Sequence, residues 1–220
     1  MDSSDFRRST TSDAINVISR PPDALVDALA ANDVVAELFD TWATIALPDC
    51  WLIAGIVVQS YWNRAFDQPP LYGVSDVDLI YFDPNDLSEA AEADVALEVR
   101  ERFAHVPLKF DVKNEARVHL WYESRFGIEI EPYTSSPNAI DTFPTTVGSM
   151  GVRPGSDGLE AYATFGFDDL LSLVVRPNKR QVTRDVYAAK VDRWLALWPD
   201  LNIVDWDDVD RDDAAVSSDP

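Results

Sequence analysis

Residues 73–83 read GVSDVDLIYFD, and the reading of this stretch decides the fold. Leu79, Ile80, Tyr81 and Phe82 form a short apolar run closed by Asp83-Pro84-Asn85-Asp86, so a buried strand is expected over 76–82. Asp76 and Asp78 stand at its start. Strand side chains two residues apart point to the same side, so both carboxylates share one face. A pair a few ångström apart repels by about 1 kcal/mol in water and about 4 kcal/mol at an effective dielectric near 20. Such a pair either rests in solvent without a task or holds a divalent cation, and hard oxygen ligands suit Mg²⁺ or Mn²⁺. With 29 Asp in the chain, Asp-x-Asp arises readily by chance, and the motif alone does not decide.

The wider spacing does. LKFDVKN, residues 108–114, alternates with period two and centres Asp111 between Phe110 and Val112, again an acid within an apolar strand. The Ala- and Glu-rich stretch between the two strands, DLSEAAEADVALEVRERFA, is a helix by composition. One helix is enough to return the chain beside the first strand. Asp76, Asp78 and Asp111 on adjacent strands would hold two metal ions about 3.5–4 Å apart, an arrangement suited to phosphoryl chemistry. Lys109 and Lys113, two of only four lysines, flank Asp111 on its face. Lys113 is a candidate for phosphate oxygens, and Lys109 reads as a strand-edge cation.

Upstream, CWLIAG is a short buried strand. IVVQSYWNRAF places Val57, Val58, Tyr61, Trp62, Ala65 and Phe66 on one helical stripe that opens just after Gly55. A glycine there lets backbone approach a phosphate, which the helix N-terminus favours. Before it, a helix is expected from Pro22 to Asn32, then one helix through DVVAELFDTWATIAL to Pro48. After the acidic strands, EARVHLWYESRFG suits a helix capped by Asn114 and ended by Gly127, although Ala116–Tyr122 also alternates as a strand would. SSPNAIDTF is a short helix. TTVGSMGVRPGSDGLEAYATF is a hairpin with Pro154–Gly158 in its turn, and FDDLLSLVV is a helix from Asp168 stopped by Pro177. The last helix starts near Thr183 with Tyr187, Val191, Trp194, Leu195 and Trp198 on its stripe. Arg176, closing an apolar stretch, is the best placed cation of the Arg176, Lys179, Arg180, Arg184 cluster. The pattern is a mixed α/β (α+β) domain.

The chain has 220 residues and a net charge of −21, with 39 acids against 18 bases. Residues 205–220 hold seven Asp and one Arg and are expected to be a disordered acidic tail. Residues 1–20 are expected to be a flexible N-terminus, and 21–204 a single domain with its core at about 48–126 and a C-terminal segment at 127–204. Acids spread over the chain and scarce lysine fit a salt-adapted, halophilic surface, and duplex nucleic acid is an unfavourable partner. No apolar run is long enough to span a membrane, and the N-terminus has no signal-peptide h-region, so a cytoplasmic location is expected. The single cysteine, Cys50, excludes an intramolecular disulfide and a Cys-based zinc site. P-loop, dinucleotide-binding, nucleophile-elbow and HExxH motifs are absent.

The succession of a strand, a glycine at a helix start, a strand with two acids and a later strand with one resembles the polymerase-β-type nucleotidyltransferase superfamily. WLIAG, SDVDLIYFDPNDLS, FDVKNEARVHLWY, PTTVGSMGVR and FGFDDLLSLVVRPN resemble a family of small, uncharacterised nucleotidyltransferase-like proteins, over residues 34–199. The resemblance implies a nucleotidyltransferase fold, a mixed sheet flanked by helices with a C-terminal hairpin and helices. It implies metal-dependent transfer of an NMP group from an NTP to an acceptor hydroxyl. Asp76 and Asp78 would bind two Mg²⁺ (or Mn²⁺), Asp111 would complete the catalytic metal site, and Gly55 would line the triphosphate. Ser75, Lys113, Asn114, Arg117 and Arg176 are further candidate nucleotide contacts. The superfamily commonly has Gly or Ser after the glycine, where this chain has Ile56. That departure motivates an alternative: an inactive nucleotide- or protein-binding module on the same fold.

Overall fold

Strand β1 (Trp51–Ile53) runs straight into helix α4 (Ala54–Ala65), and β2 (Asp76–Tyr81) returns antiparallel to β1. Three helices precede them: α1 (Asp23–Ala30), α2 (Asp33–Asp40) and α3 (Trp42–Ile45). From β2, helix α5 (Glu89–Arg102) carries the chain to β3 (Lys109–Asn114), which pairs parallel to β2. A 3₁₀ turn (Glu115–Arg117), α6 (His119–Phe126) and α7 (Ser136–Ile140) lead to the hairpin of β4 (Met150–Gly155) and β5 (Gly158–Ala163). The sheet order is β3-β2-β1-β4-β5. Beyond it come α8 (Asp168–Leu171), β6 (Val174–Val175), α9 (Arg184–Leu195) and β7 (Asn202–Ile203), with β6 and β7 paired parallel in a small second sheet. This computed structural model describes residues 18–209. Most of the expected flexible N-terminus and acidic tail lies outside them. Where those stretches do enter, Ser19 bridges to Ala161, and Trp206 packs on Tyr187 at 6.0 Å between ring centroids.

Period-two alternation gives the sheet two different faces. Val77, Leu79 and Tyr81 of β2 and Phe110 and Val112 of β3 enter the main core under α1, α2, α4, α5 and α9. Phe103 stacks on Phe110 at 4.6 Å. Trp62 of α4 meets Trp194 at 5.0 Å and Trp198 at 5.3 Å. Buried aromatic pairs of this kind each contribute about 0.5–1.5 kcal/mol beyond their area. On the other face, Trp51, Ile53, Ile80, Ile140 and Tyr162 form a smaller cluster. Asp76, Asp78 and Asp111 belong to that second face by alternation.

Four expectations change. The helix expected from Asp33 to Pro48 divides at Thr41, whose hydroxyl donates to Glu37 O at 2.9 Å and Leu38 O at 3.3 Å. A side chain competing for those carbonyls bends or ends a helix. The hairpin turn is only Ser156-Asp157, because Gly155 already pairs with Gly158 and Pro154 with Leu159. Pro154 is tolerated because β1 pairs only with Gly151 and Val152, short of it. The helix from Asp168 ends at Leu171; Leu173 has φ 57°, and Val174-Val175 turn extended, as β-branched residues prefer. The last helix stops at Leu195, and Trp198 packs from the following turn. The ambiguous EARVHLW stretch is helical: Asn114 Oδ1 accepts the Ala116 N–H at 3.1 Å, and Gly127 closes α6 at φ 70°.

Candidate active site

Parallel pairing of β2 with β3 sets Asp78 directly across from Asp111 and Asp76 across from Lys109. Neighbouring strands lie about 4.8 Å apart, so the two carboxylates start from adjacent backbone positions. Burial, then Asp76 and Asp111, push the Asp78 carboxyl up to about 6. The repulsion that the Asp-x-Asp spacing implied is present at Asp78, and the pull of Lys190 and Lys109 offsets it only in part.

Asp111 is not equally bare. Its Oδ1 lies 3.8 Å from Arg100 Nη2 and 3.7 Å from Lys113 Nζ, and its Oδ2 lies 3.6 Å from Lys109 Nζ. Both lysines that flank it in sequence therefore pair with it, joined by Arg100 from α5. Among the described residues, no three His, Cys, Asp or Glu side chains are grouped so as to hold a metal ion as they stand.

The opposite strand of the pair supplies the second half of the site. Ile53, the last residue of β1, is registered with Asp78, and α4 begins at the next residue. The helix has no side-chain cap, so its first N–H groups are open to an anion. Gly55 lies in this first turn. A Cβ added there meets nothing nearer than the Gln59 carboxamide at 3.8 Å, so neither packing nor backbone conformation demands a glycine. Ile56, the departure from the superfamily pattern, is wholly buried in the main core and leaves the helix mouth clear.

Lys190 of α9 was missed by sequence reasoning. It lines a cavity of about 150 Å³ with Gly55, Ile53, Phe143, Pro144 and Trp194. Burial pushes its ammonium pKa down, while Asp78 and Asp76 act against that. Its Nζ sits 4.9 Å from the Trp194 ring centroid. A signal existed: Tyr187, Lys190, Val191 and Trp194 follow i, i+3, i+4, i+7, so a lysine occupies the buried stripe of α9.

The other candidates have structural partners. The Ser75 hydroxyl donates to Asp76 Oδ1 at 3.0 Å. Asn114 accepts the Asp83 N–H at 3.0 Å and donates to Asp83 O at 2.9 Å, fixing the loop after β2. Arg117 Nη1 lies 2.9 Å from Glu92 Oε1, with both side chains about nine-tenths buried. Arg176 pairs with Asp169, Nε to Oδ2 3.2 Å. The structure does not bring Asn114, Arg117 or Arg176 into contact with the three acids.

The mixed five-stranded sheet with helices packed against it has the fold of a nucleotidyltransferase head domain. A solved structure described as revealing a CCA-adding enzyme head domain superposes with a TM-score of 0.69, at 24% identity, over 84% of this chain and 96% of that one. No curated protein matches. The profile of a nucleotidyltransferase family matches residues 40–203, and the chain belongs to that family. Among the described residues, no helix is long and apolar enough to cross a membrane.

Proposed function

We propose that this protein transfers an NMP group from an NTP to an acceptor hydroxyl with the help of divalent metal ions. The observation that carries the reading is the placement of Asp78 across from Asp111, beside the uncapped start of α4. The donor set fits a hard cation: carboxylates only, with Asp78 held above its ordinary range by burial and then by its acidic neighbours. Asp76 and Asp78 would hold the metal, and Asp111 would join them by exchanging a lysine partner for it. When bound, Mg²⁺ or Mn²⁺ supplies charge neutralisation on the phosphates.

The chain's own groups do the rest. The first N–H groups of α4 receive a phosphate, and Gly55 lets it approach the backbone. Lys190 offers a half-buried cation from the facing helix. Asp111 accepts the proton of the acceptor hydroxyl. Positioning and electrostatic stabilisation account for most of the rate. A cytoplasmic setting and a salt-adapted surface belong to the same proposal.

The test is Mg²⁺-dependent pyrophosphate release from ATP, GTP, CTP and UTP across a panel of alcohol acceptors. Asp78→Ala is expected to abolish it, and unchanged release in that variant overturns the reading. The rival binding module predicts NTP binding with no pyrophosphate release from any acceptor. Its motive is weaker now, because Ile56 points into the core.

A further inference from the structure

Beyond Lys113 lies a second, larger cavity of about 290 Å³, walled by α6, the 128–133 segment, the Thr142–Pro144 stretch and the start of α9. Trp121, Tyr122, Phe126, Tyr133 and Phe143 give it an aromatic lining, with Glu115 among them. The polar groups of the wall satisfy one another. Tyr122 Oη donates to Gln181 O at 3.1 Å, Gln181 Nε2 donates to Tyr133 Oη at 2.7 Å, and Tyr133 Oη meets Thr142 Oγ1 at 2.8 Å. Lys113 is engaged by Asp111 and Glu92.

Glu115 is the exception. It is 7% exposed, and among the described residues its carboxyl has no hydrogen bond and no ion pair. A buried charge without a partner is costly, and here burial together with Glu92 pushes the carboxyl up to about 8 against the opposing pull of Lys113. Such a group is relieved by a cation from outside. The aromatic lining suits the same guest: Tyr122 and Phe126 lie 4.6 Å apart and Trp121 and Phe126 6.4 Å apart, and ring faces attract ammonium groups. Phe126, 43% exposed, leaves the mouth open. A net charge of −21 raises the local concentration of cations and repels anions.

The cavity also adjoins the proposed reaction centre. Lys113 lines it and reaches Asp111 at 3.7 Å. Phe143 and Pro144 line both this cavity and the one that holds Gly55 and Lys190. Phosphate-binding features thus lie on the β1 side of the acids and the aromatic cavity on the β3 side.

We propose that this cavity seats the acceptor and selects one carrying an ammonium group on a compact apolar or aromatic body, with Glu115 as its counter-charge. This rests on the nucleotidyl-transfer reading. The acceptor oxygen bonds to the α-phosphorus of the NTP as the bond from that phosphorus to the pyrophosphate oxygen breaks. Pyrophosphate leaves with the electron pair, and the hydroxyl proton passes to Asp111 and then to solvent. Glu115 orients the acceptor and takes no part in bond making.

Three probes of one shape test it: benzylamine, benzyl alcohol and phenylacetate, titrated calorimetrically into the full chain without nucleotide. Benzylamine is expected to bind at least tenfold more tightly than benzyl alcohol, with no phenylacetate binding. Glu115→Gln and, at the open mouth, Phe126→Ala are each expected to weaken benzylamine binding at least tenfold. Cooperative thermal unfolding of Glu115→Gln confirms that it folds. Near pH 7, benzylamine binding is expected to release a proton as Glu115 ionises, read from titrations in buffers of different ionisation heat; Glu92, Lys113, Tyr122 and Tyr133 are the titratable groups around it. Equal binding of benzylamine and benzyl alcohol, no binding of either, or undiminished benzylamine binding by Glu115→Gln overturns the proposal. Because no NTP is present, these outcomes are independent of pyrophosphate release and of the Asp78→Ala result.

Discussion

Asp78 lies directly across the parallel β2–β3 pair from Asp111, yet among the described residues only Asp111 of the two forms ion pairs, with Arg100, Lys109 and Lys113, while Lys190 and Lys109 act on Asp78 from further off. In the metal-free protein Asp78 therefore carries the strain. Its carboxyl is pushed up to about 6, so the folded state holds this proton more tightly than the unfolded chain does. The resulting loss of stability is absent at low pH, grows as pH rises from about 4 to about 6, and is constant above that window. Asp78→Asn is expected to unfold about 1–2 kcal/mol later than wild type above pH 6 and equally below pH 4, while losing all turnover. Urea unfolding in chelator at a series of pH values checks the first part, and a pyrophosphate assay checks the second.

Gly55 separates a fold role from a ligand role. Among the described residues nothing crowds a Cβ there, and alanine is the better residue inside a helix. Gly55→Ala is expected to gain about 0.5–1 kcal/mol of stability. NTP affinity should fall at least tenfold, as seen by nucleotide titration. A variant with unaltered NTP affinity removes Gly55 from the triphosphate site.

Lys190 is half-buried on α9, where desolvation opposes its charge and Asp78 and Asp76 support it. Lys190→Met is expected to raise the KM for NTP at least tenfold with thermal stability maintained, because the desolvation cost of the ammonium offsets its attraction to Asp78 and Asp76. A change confined to kcat would assign Lys190 a role after nucleotide binding.

Arg117 was a sequence candidate for nucleotide contact, and its partner is Glu92 at 2.9 Å. Removing Arg117 leaves the buried Glu92 with only the more distant Lys113, at 3.8 Å, as a cation. Arg117→Met is expected to cost about 3 kcal/mol in urea unfolding. NTP affinity measured well below the unfolding transition should hold. A selective loss of affinity without destabilisation restores the nucleotide role.

The acidic surface gives a salt dependence. Screening lengths shrink from about 10 Å at 0.1 M salt to about 3 Å at 1 M. A chain of −21 should therefore gain several degrees in Tm over that range, followed in KCl by circular dichroism. A flat or falling Tm argues against a salt-adapted surface.

The β2-α5-β3 unit was legible because two acids open the apolar run of β2 and a third sits between Phe110 and Val112 in the period-two alternation of β3. Gly55 was legible because it punctuates the junction between strand and helix. Lys190 escaped because a lysine on a helix with Tyr187 and Trp194 reads as a solvated neighbour of a core stripe, and only the tertiary packing of α9 against α4 buries it. Glu115 escaped for the opposite reason. One acid among 39 carries no signal until α6 and the start of α9 close over it. Val174-Val175 read as the end of a helix because the partner strand, Asn202–Ile203, is remote in sequence and only two residues long.

Trp62, Trp194 and Trp198 join α4 to the end of α9, the two helices that carry Gly55 and Lys190. Indoles with centroids 5.0 Å and 5.3 Å apart couple their electronic transitions, and the sign and strength of that coupling follow their mutual orientation. The chain thus contains an intrinsic optical gauge of the gap into which a triphosphate would settle. A tilt of one helix against the other on nucleotide capture would register as a change in near-ultraviolet circular dichroism, with no label attached.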